Sequence, residues 1–292
     1  MNPASIIDIS ADIGEEEAVK IQGSNYWIGR LKQYNYKMPP HFHDQYEILF
    51  FFAENIICNV GVKSYLLKSG SIAVFNDTDI HRIIVPTNVL HDRFIINFKP
   101  KLMQEMFLSY PELMEQFVNR NSKFQHCLQL NAAQKEKILK LLNKMLDCYE
   151  NINANSYELK IKLILCEILL CLNEIYYANQ INPAVKNYVY NEQLHTIMEY
   201  IQDNLSVDIN LDNLASNFFI GKQTLIKLFK TETGLTPNQY VIYCRIIKAR
   251  EFLKQGLYVY KVCELVGYTN ISSFIRTFKK LTGYTPKSYQ KR

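Results

Sequence analysis

Hydrophobic residues fall into short runs in the N-terminal third of the chain. From Tyr26 to Phe98 these runs are separated by Gly, Pro, Asn or Asp and read YWIGRL, YEILFFF, NIICNVGVKSYLL, GSIAVFN, HRIIVP and DRFIINF. Runs rich in Ile, Val, Phe and Tyr between turn residues predict short strands. So many strands within roughly 75 residues favour a small antiparallel barrel or jelly roll. Residues 1–23 lack the pattern and are predicted to form a mobile or loosely packed lead.

After Pro100 the hydrophobic residues recur at the spacing of a helix. The segment PKLMQEMFLSYPELMEQFVN is interrupted by Pro111, and residues 131–149 repeat apolar positions at helical spacing behind a capping Asn131. Residues 155–178 predict the longest helix. Residues 179–191 then lose periodicity and contain an Asn-Pro pair, which predicts a linker.

A twelve-residue sequence occurs twice near the C-terminus. Residues 229–240 read FKTETGLTPNQY and residues 278–289 read FKKLTGYTPKSY, with seven identities at an offset of 49. Chance gives about one identity in twelve, so this is an internal repeat. Each copy predicts a helix that ends at a left-handed glycine, then a capping Thr and a Pro that begin the next helix.

A short apolar helix and a tight turn precede each copy. LDNLASNF leads into KQTLIKLFKTETG, and VYKVCELVGY leads into ISSFIRTFKKLTG after a turn that is one residue longer. A short helix, a tight turn and a second helix form a helix-turn-helix unit. Residues 238–255 carry an apolar stripe and predict a connecting helix of roughly 25 Å. A spacer of that size lets the two units reach successive major-groove segments of DNA.

This arrangement resembles the AraC/XylS family of transcription regulators. The resemblance covers residues 192–292 and rests on the F-K-x-x-x-G-x-T-P-x-x-Y ending of both copies, with Arg245, Ala249 and Leu253 at the family's spacing in the connecting helix. It implies an α+β protein. An N-terminal cupin-like β-barrel with trailing helices, residues 1–180, would bind an effector and dimerise. Residues 181–191 would be a linker, and residues 192–292 an all-α DNA-binding domain with two helix-turn-helix units.

Positive charge is concentrated in the C-terminal hundred residues. Residues 192–292 hold 14 Lys and Arg against 8 Asp and Glu, a net charge of +6, whereas residues 1–191 have a net charge of −1. A basic domain on a near-neutral body suits a partner with a phosphate backbone, although a solvated surface also reaches such a value.

Composition narrows the class of protein further. A hydrophobic content of 48% is enough for packed cores, and no apolar run is long enough to predict a membrane span. The acidic first twenty residues lack an apolar core and predict no signal peptide. Seven scattered cysteines without a CxxC pair are typical of reduced thiols in a cytoplasm.

Candidate DNA contacts lie on the exposed side of each predicted recognition helix, whose N-terminal half faces base edges. Gln pairs with adenine and Arg or Lys with guanine, whereas lysines late in the helix suit phosphates. The candidates are Lys222, Gln223, Ile226, Lys227 and Lys230 in the first unit, and Asn270, Ser272, Ser273, Arg276, Lys279 and Lys280 in the second. By resemblance, Gln223, Lys227, Ser272 and Arg276 match base-reading positions of the family.

A histidine-rich motif lies in the predicted barrel. His41, His43 and Glu47 share parity on a strand and therefore one face, and His81 follows later. The set resembles the two-part cupin motif, in which such residues bind a metal, but Asn35, Asn76, Thr78 and Val85 replace its Gly, Pro, Gly and Asn. Three interpretations stay open: polar groups of an effector pocket, a metal site, or hydrogen-bonded packing residues. The family resemblance favours a pocket without metal and no cofactor.

A second candidate effector contact surrounds the only tryptophan. Trp27, with Arg30 and Tyr34, could stack on or clamp a sugar, as in the sugar sensors of the resembling family, or Trp27 could be a core residue. His91 and His126 have no assigned role.

The resemblance implies a transcription regulator, in that family usually an activator, that responds to a small molecule and is not an enzyme. Its expected partners are double-stranded DNA, the effector, RNA polymerase and a second copy bound through the helices after the barrel. Packing of those helices on the barrel is the alternative. Two rival functions remain: a metal-dependent enzyme built on the His cluster, and a constitutive DNA-binding protein without a ligand.

Overall fold

The computed structural model describes residues 15–118, 120, 124–150, 156–181 and 188–291. Ten strands lie in this part of the chain. They are β1 (Glu15–Gln22), β2 (Tyr26–Gln33), β3 (Tyr46–Phe51), β4 (Ile56–Val60), β5 (Lys63–Leu67), β6 (Ser71–Phe75), β7 (His81–Ile84), β8 (His91–Phe98), β9 (Cys127–Gln129) and β10 (Tyr188–Tyr190).

The strands form two antiparallel sheets that stack face to face. One sheet has the order β1-β2-β8-β3-β6-β9 and the other the order β10-β5-β4-β7. Among the described strands none belongs to both sheets, so the predicted barrel is an open double layer and the α+β fold class holds. Isolated bridges from Lys37 to Ile84 and from His41 to His81 tie the segment after β2 to the smaller sheet.

The larger sheet is buried on both faces. In β3, Ile48 and Phe50 face one hydrophobic core and Leu49 and Phe51 face another, as the two-residue period of a strand requires. The first core lies between the sheet and the helices that follow it, and the second fills the space between the sheets. This double burial explains why β3 is apolar without alternation.

Three helices cover the outer face of the larger sheet. They are α1 (Gln104–Ser109), α2 (Ala132–Glu150) and α3 (Tyr157–Ile181). Pro111 separates α1 from a following 3-10 turn, and Asn131 caps α2 through its side-chain oxygen, which accepts from the N–H of Gln134 at 2.9 Å. The predicted break and cap are confirmed, and α3 is the longest helix, with 25 residues.

Seven helices build the C-terminal part. They are α4 (Glu192–Asp203), α5 (Leu211–Asn217), α6 (Lys222–Thr233), α7 (Pro237–Lys254), α8 (Val259–Leu265), α9 (Ile271–Thr282) and α10 (Pro286–Gln290). None of the helices in the described part of the chain is long and apolar enough to cross a bilayer.

The repeat has the local structure that its sequence predicts. Gly234 and Gly283 end α6 and α9 with φ of 79° and 77°, the left-handed region that a glycine adopts without strain. Thr236 and Thr285 cap α7 and α10, and a Pro follows each cap.

The helix α7 belongs to two helix-turn-helix lobes at once. Its first half contributes Tyr240, Val241 and Cys244 to the core of the first lobe, and its second half contributes Ala249 and Leu253 to the core of the second. A single continuous helix therefore fixes the relative position of α6 and α9.

Two segments that were predicted to lack regular structure contribute strands. Residues 1–14 of the predicted loose lead lie outside the described residues, but Glu15–Gln22 pairs with β2 as an edge strand. In the predicted linker, residues 182–187 lie outside the described residues, whereas Tyr188–Tyr190 pairs with β5. Both strands lie at the edge of a sheet, where backbone pairing leaves little trace in the hydrophobic pattern.

We expect Thr236→Ala to lower the free energy of unfolding by about 1 kcal/mol. Thr236 Oγ1 accepts from the N–H of Gln239 at 3.2 Å, and Gln239 Oε1 accepts from the N–H of Thr236 at 2.8 Å, so the substitution removes half of a capping box. Urea unfolding followed by circular dichroism measures the loss. The control is Thr231→Ala on the exposed surface of α6, which should keep or slightly raise stability because Ala favours helix. Equal losses in both variants would contradict the capping role.

Candidate nucleic-acid interface and effector site

The first recognition helix presents polar side chains from its N-terminal half. Lys222, Gln223 and Lys227 are exposed on α6, and Ile226 is half-buried beside them. The opposite side of the helix holds Leu225 and Phe229 in the lobe core. The exposed Lys230 follows one turn later, where a phosphate contact is expected. Lys222 also forms an ion pair with Asp212 of α5.

The second recognition helix has the same layout. Asn270 caps α9 by accepting from the backbone N–H of Ser273 at 2.9 Å, and the Ser273 side chain is half-buried. Ser272 and Arg276 are exposed on the outer side. Lys279 and Lys280 are exposed in the last turn and stabilise the negative end of the helix dipole.

The four residues of the histidine motif converge at one place. The ligand nitrogens of His41, His43 and His81 lie within 4.8 Å of one another. Glu47 Oε2 lies 3.4 Å from Nε2 of His43 and 3.2 Å from Nε2 of His81. The four side chains therefore lie together, but strand parity is not the reason, because His41 and His43 precede β3 and only Glu47 lies on it.

Backbone carbonyls hold each imidazole in one tautomer. Nδ1 of His41, His43 and His81 lies 3.1, 2.8 and 3.1 Å from the carbonyl oxygens of Pro39, Gln45 and Asp79. A carbonyl oxygen only accepts, so each Nδ1 carries a proton, and Nε2 of His43 and of His81 faces Glu47. This is the arrangement in which imidazoles bind a first-row divalent cation.

Burial and charge set the protonation of the cluster. Burial, reinforced by the neighbouring imidazoles, lowers the pKa of His41 to about 3, so this ring is neutral near pH 7. Burial opposes ionisation of Glu47, but hydrogen bonds from His43 and His81 hold its pKa well below the usual range. Burial also opposes a charge on His43, but the bond to Glu47 outweighs it and raises its pKa. Glu47 is therefore ionised near pH 7, and a metal ion or a polar ligand would have to rearrange its hydrogen bonds to His43 and His81.

The structure does not bring together the three residues predicted to clamp a sugar. Trp27 lies on the inner face of β2, packed against the core between the sheets. Arg30 lies on the opposite face and forms a bidentate ion pair with Asp92 at 3.0 and 2.8 Å, while Tyr34 is 41% exposed beyond the strand end. The odd spacing from Trp27 to Arg30 puts them on different faces.

The N-terminal half of the chain docks on α7 and on the end of α6 through contacts that sequence reasoning missed. Arg250, 3% exposed, donates from Nη1 to the carbonyl of Asp77 at 2.7 Å and from Nη2 to its carboxylate at 3.2 Å. Lys254 Nζ lies 2.9 Å from the same carboxylate. Asn59 Nδ2 donates to the carbonyl of Glu232 at 2.7 Å. These partners are up to 177 residues apart, so no local pattern could have paired them.

One segment, residues 34–43, connects the inner sheet face to the DNA-binding lobes; we call it the strap. Tyr36 of the strap is buried in the core between the sheets. Further along, the carbonyl of Pro40 accepts from the Tyr243 hydroxyl at 3.3 Å, and Phe42 packs in the core of the second lobe. The strap also carries His41 and His43, so the histidine cluster borders the domain contact.

Two family models match separate parts of the chain. The AraC-like ligand binding domain matches residues 29–169, and a Helix-turn-helix domain matches residues 214–292. The chain is 25% identical over 256 residues to the HTH-type transcriptional activator RhaS of Pectobacterium carotovorum subsp. carotovorum (strain PC1), covering 86% of each chain. It is 24% identical over 269 residues to RhaS of Escherichia coli O81, covering 88% of each. The solved structure of ToxT from Vibrio cholerae O395 covers 92% of this chain and 98% of that one at 11% identity, with a TM-score of 0.39.

A ligand-binding domain followed by paired groove-facing helices defines a DNA-binding regulator that responds to a small molecule. The chain belongs to the AraC family of transcription regulators, as its sequence resemblance predicted. That family is a class of regulators rather than of enzymes.

We expect Asp77→Asn to lower the free energy of unfolding by about 2–4 kcal/mol, because it leaves the buried Arg250 guanidinium without a counter-charge. Urea unfolding of the full chain measures this loss. The matched control is Asp212→Asn, which breaks the exposed pair with Lys222 and should cost less than about 1 kcal/mol. Similar effects of the two substitutions would show that the Asp77 contact does not hold the domains together.

Proposed function

We propose that this protein is a transcription activator that reads two successive major-groove segments through α6 and α9. The observation that carries the proposal is the pair of recognition helices on the shared α7, each with exposed polar side chains in its N-terminal half. With 18 residues, α7 is roughly 27 Å long. Two lobes on a rod of that size suit the 34 Å repeat of duplex DNA.

The effector is proposed to bind in the N-terminal half, with the histidine cluster among its polar contacts. His41 and His43 lie on the strap, so a ligand that changes the strap changes the contact with Tyr243 and the second lobe. Such a ligand acts by binding one arrangement of the domains more tightly than another. A sugar is the proposed chemical class of the effector.

A second copy of the chain is proposed to pack on α3. This helix buries Ile161, Leu165 and Ile168 against the sheet, yet Leu159 and Leu163 are more than half exposed on its other side. Exposed apolar residues along one helix suit an antiparallel pair of helices.

The two parts of the chain are proposed to have different partners. Residues 1–180 would act as the effector-binding and dimerisation unit, residues 181–191 as a linker and residues 192–292 as the DNA-binding unit, which would also contact RNA polymerase. None of the seven cysteines, all of which lie in the described part of the chain, forms a disulfide, and six of them are buried, which supports a reducing cytoplasm.

We expect Arg276→Ala to weaken specific DNA binding by about 1–3 kcal/mol and to relax the base preference at one position. The exposed Arg276 lies on the groove-facing side of α9 and can pair with a guanine. Binding to the mapped operator and to scrambled DNA measures the difference by fluorescence anisotropy. An equal loss on both duplexes would show that Arg276 contacts only phosphate.

Lys279→Ala serves as the matched control for Arg276→Ala, since it removes a cation one turn later on the same helix. It should weaken binding to both duplexes alike and reduce the slope of log K against log salt by about one unit. Failure of the wild-type chain to bind any duplex at low salt would refute the proposed function.

A second candidate function is regulation by a metal ion. It is favoured by the convergence of three imidazole Nε2 atoms whose Nδ1 atoms are fixed by backbone carbonyls. In this function His41, His43 and His81 would supply neutral nitrogen ligands and Glu47 a carboxylate oxygen, a set that suits Zn²⁺ or Co²⁺.

We expect the full chain, dialysed against Zn²⁺ and then desalted, to retain close to one equivalent if the cluster is a metal site. His43→Gln should reduce the retained metal at least tenfold. His195→Gln in α4 is the control, because His195 lies outside the cluster and faces Glu199. Elemental analysis measures the stoichiometry, and equal metal content in the two variants would eliminate this function.

A further inference from the structure

A buried cation lies between the two sheets. Arg93, 3% exposed, is on the inner face of β8 beside Phe51 of β3. Its Nη1 donates to the carbonyl of His91 and its Nη2 to Oε1 of Gln33, both over a long 3.4 Å. Both acceptors are neutral. Burying a guanidinium without a counter-charge is costly, so buried arginines are normally paired.

The two acidic residues that could neutralise Arg93, its neighbour Asp92 and Glu47 of β3, are already paired with other side chains. Asp92 points to the opposite face of the sheet and forms its bidentate pair with Arg30. Glu47 lies further along the inner face and is bound by His43 and His81. Within the described part of the chain, Arg93 has no carboxylate at ion-pair distance.

Neighbouring polar groups are also short of partners. His91 is fully buried, and neither of its ring nitrogens has a hydrogen-bond partner among the described residues. The Tyr36 ring lies 4.7 Å from the His91 ring and 4.6 Å from Cζ of Arg93. Its hydroxyl donates to the sulfur of Met38, a weak acceptor. Buried polar groups without partners call for a ligand or an ion, and here most of the unmet capacity is that of donors.

We propose that Arg93, His91, Tyr36 and Gln33 bind the carboxylate group of an acidic effector. This inference rests on the proposed function and narrows the effector to small organic acids, the class that includes uronic sugar acids. The flat fork of a guanidinium matches a carboxylate through two parallel hydrogen bonds. The neutral His91 ring and the Tyr36 hydroxyl can each add one further donor.

The site is placed to transmit binding to the DNA-binding lobes. Tyr36 belongs to the strap, and four residues later the carbonyl of Pro40 contacts Tyr243 of α7. A carboxylate that draws the Tyr36 hydroxyl away from Met38 therefore acts on the segment that docks α7. The effector would change the position of the lobes without contacting them.

Arg93→Met tests the inference without knowledge of the effector. The substitution replaces an unpaired buried cation by an apolar chain of similar length, so the melting temperature of the ligand-free full chain should rise by about 2–6 °C. The control is Arg30→Met, which breaks the pair with Asp92 on the other face of the same sheet and should lower the melting temperature. A lower melting temperature for Arg93→Met would show that Arg93 has a structural role and would overturn the proposal.

Thermal shifts with pairs of similar ligands test whether the site binds a carboxylate. At equal ionic strength, sodium acetate and sodium D-galacturonate should stabilise the wild-type chain more than sodium chloride and D-galactose, and Arg93→Met should abolish the difference. Glucose 6-phosphate distinguishes a phosphate from a carboxylate, and a larger shift with it than with both carboxylates would overturn the assignment. Equal responses of the wild type and Arg93→Met to every anion would also overturn it. DNA binding by the wild type is measured separately, so loss of the regulator function and loss of acid binding remain distinguishable.

Discussion

The arrangement of the whole molecule depends on one buried guanidinium at the boundary between its halves. Arg250 donates to the Tyr289 hydroxyl within the second lobe at 2.9 Å and to Asp77 in the N-terminal half, so a single side chain joins the repeat to the sheets. A buried charge tolerates little displacement, because losing its partner costs several kcal/mol. Since Arg250 is on α7, the helix shared by both lobes, the docked N-terminal half fixes both recognition helices together.

The strap is the segment through which the proposed effector would act on this contact. The strap has ten residues. Near its start Tyr36 covers Arg93, which has no counter-charge, and near its end Phe42 packs in the second lobe between His41 and His43 of the histidine cluster. The inner end holds polar groups with unmet hydrogen-bonding capacity, and the outer end is packed against aromatic and charged groups of α7. A ligand at the inner end can shift the docking equilibrium only by the difference in its affinity for the two strap positions.

Sequence reasoning succeeded where a residue's role is set by its near neighbours. Glycines at φ near +78°, capping threonines and the spacing of Phe229 and Phe278 follow from local rules, so the two lobes and the shared helix were predictable. The grouping of His41, His43 and Glu47 was expected from strand parity, but His41 and His43 lie before β3 and reach Glu47 through the fold of the strap. Contacts across the fold did not follow, because Asp77 and Arg250 are 173 residues apart. Parity within DRFIINF could have shown Arg93 on the same face as the buried Ile95, yet only the structure shows that Asp92 is paired elsewhere.

Docking leaves the DNA-reading surface open. Gln223, Lys227 and Arg276 are all exposed while Arg250 is held by Asp77 and Phe42 packs in the second lobe. In this arrangement the N-terminal half does not cover these candidate base-reading side chains. It sets the direction in which the two lobes point relative to α3, where a second copy is proposed to pack. In a dimer, a change of that direction alters which spacing of half-sites both copies can occupy, so a small displacement of the strap is converted into a choice between DNA sites.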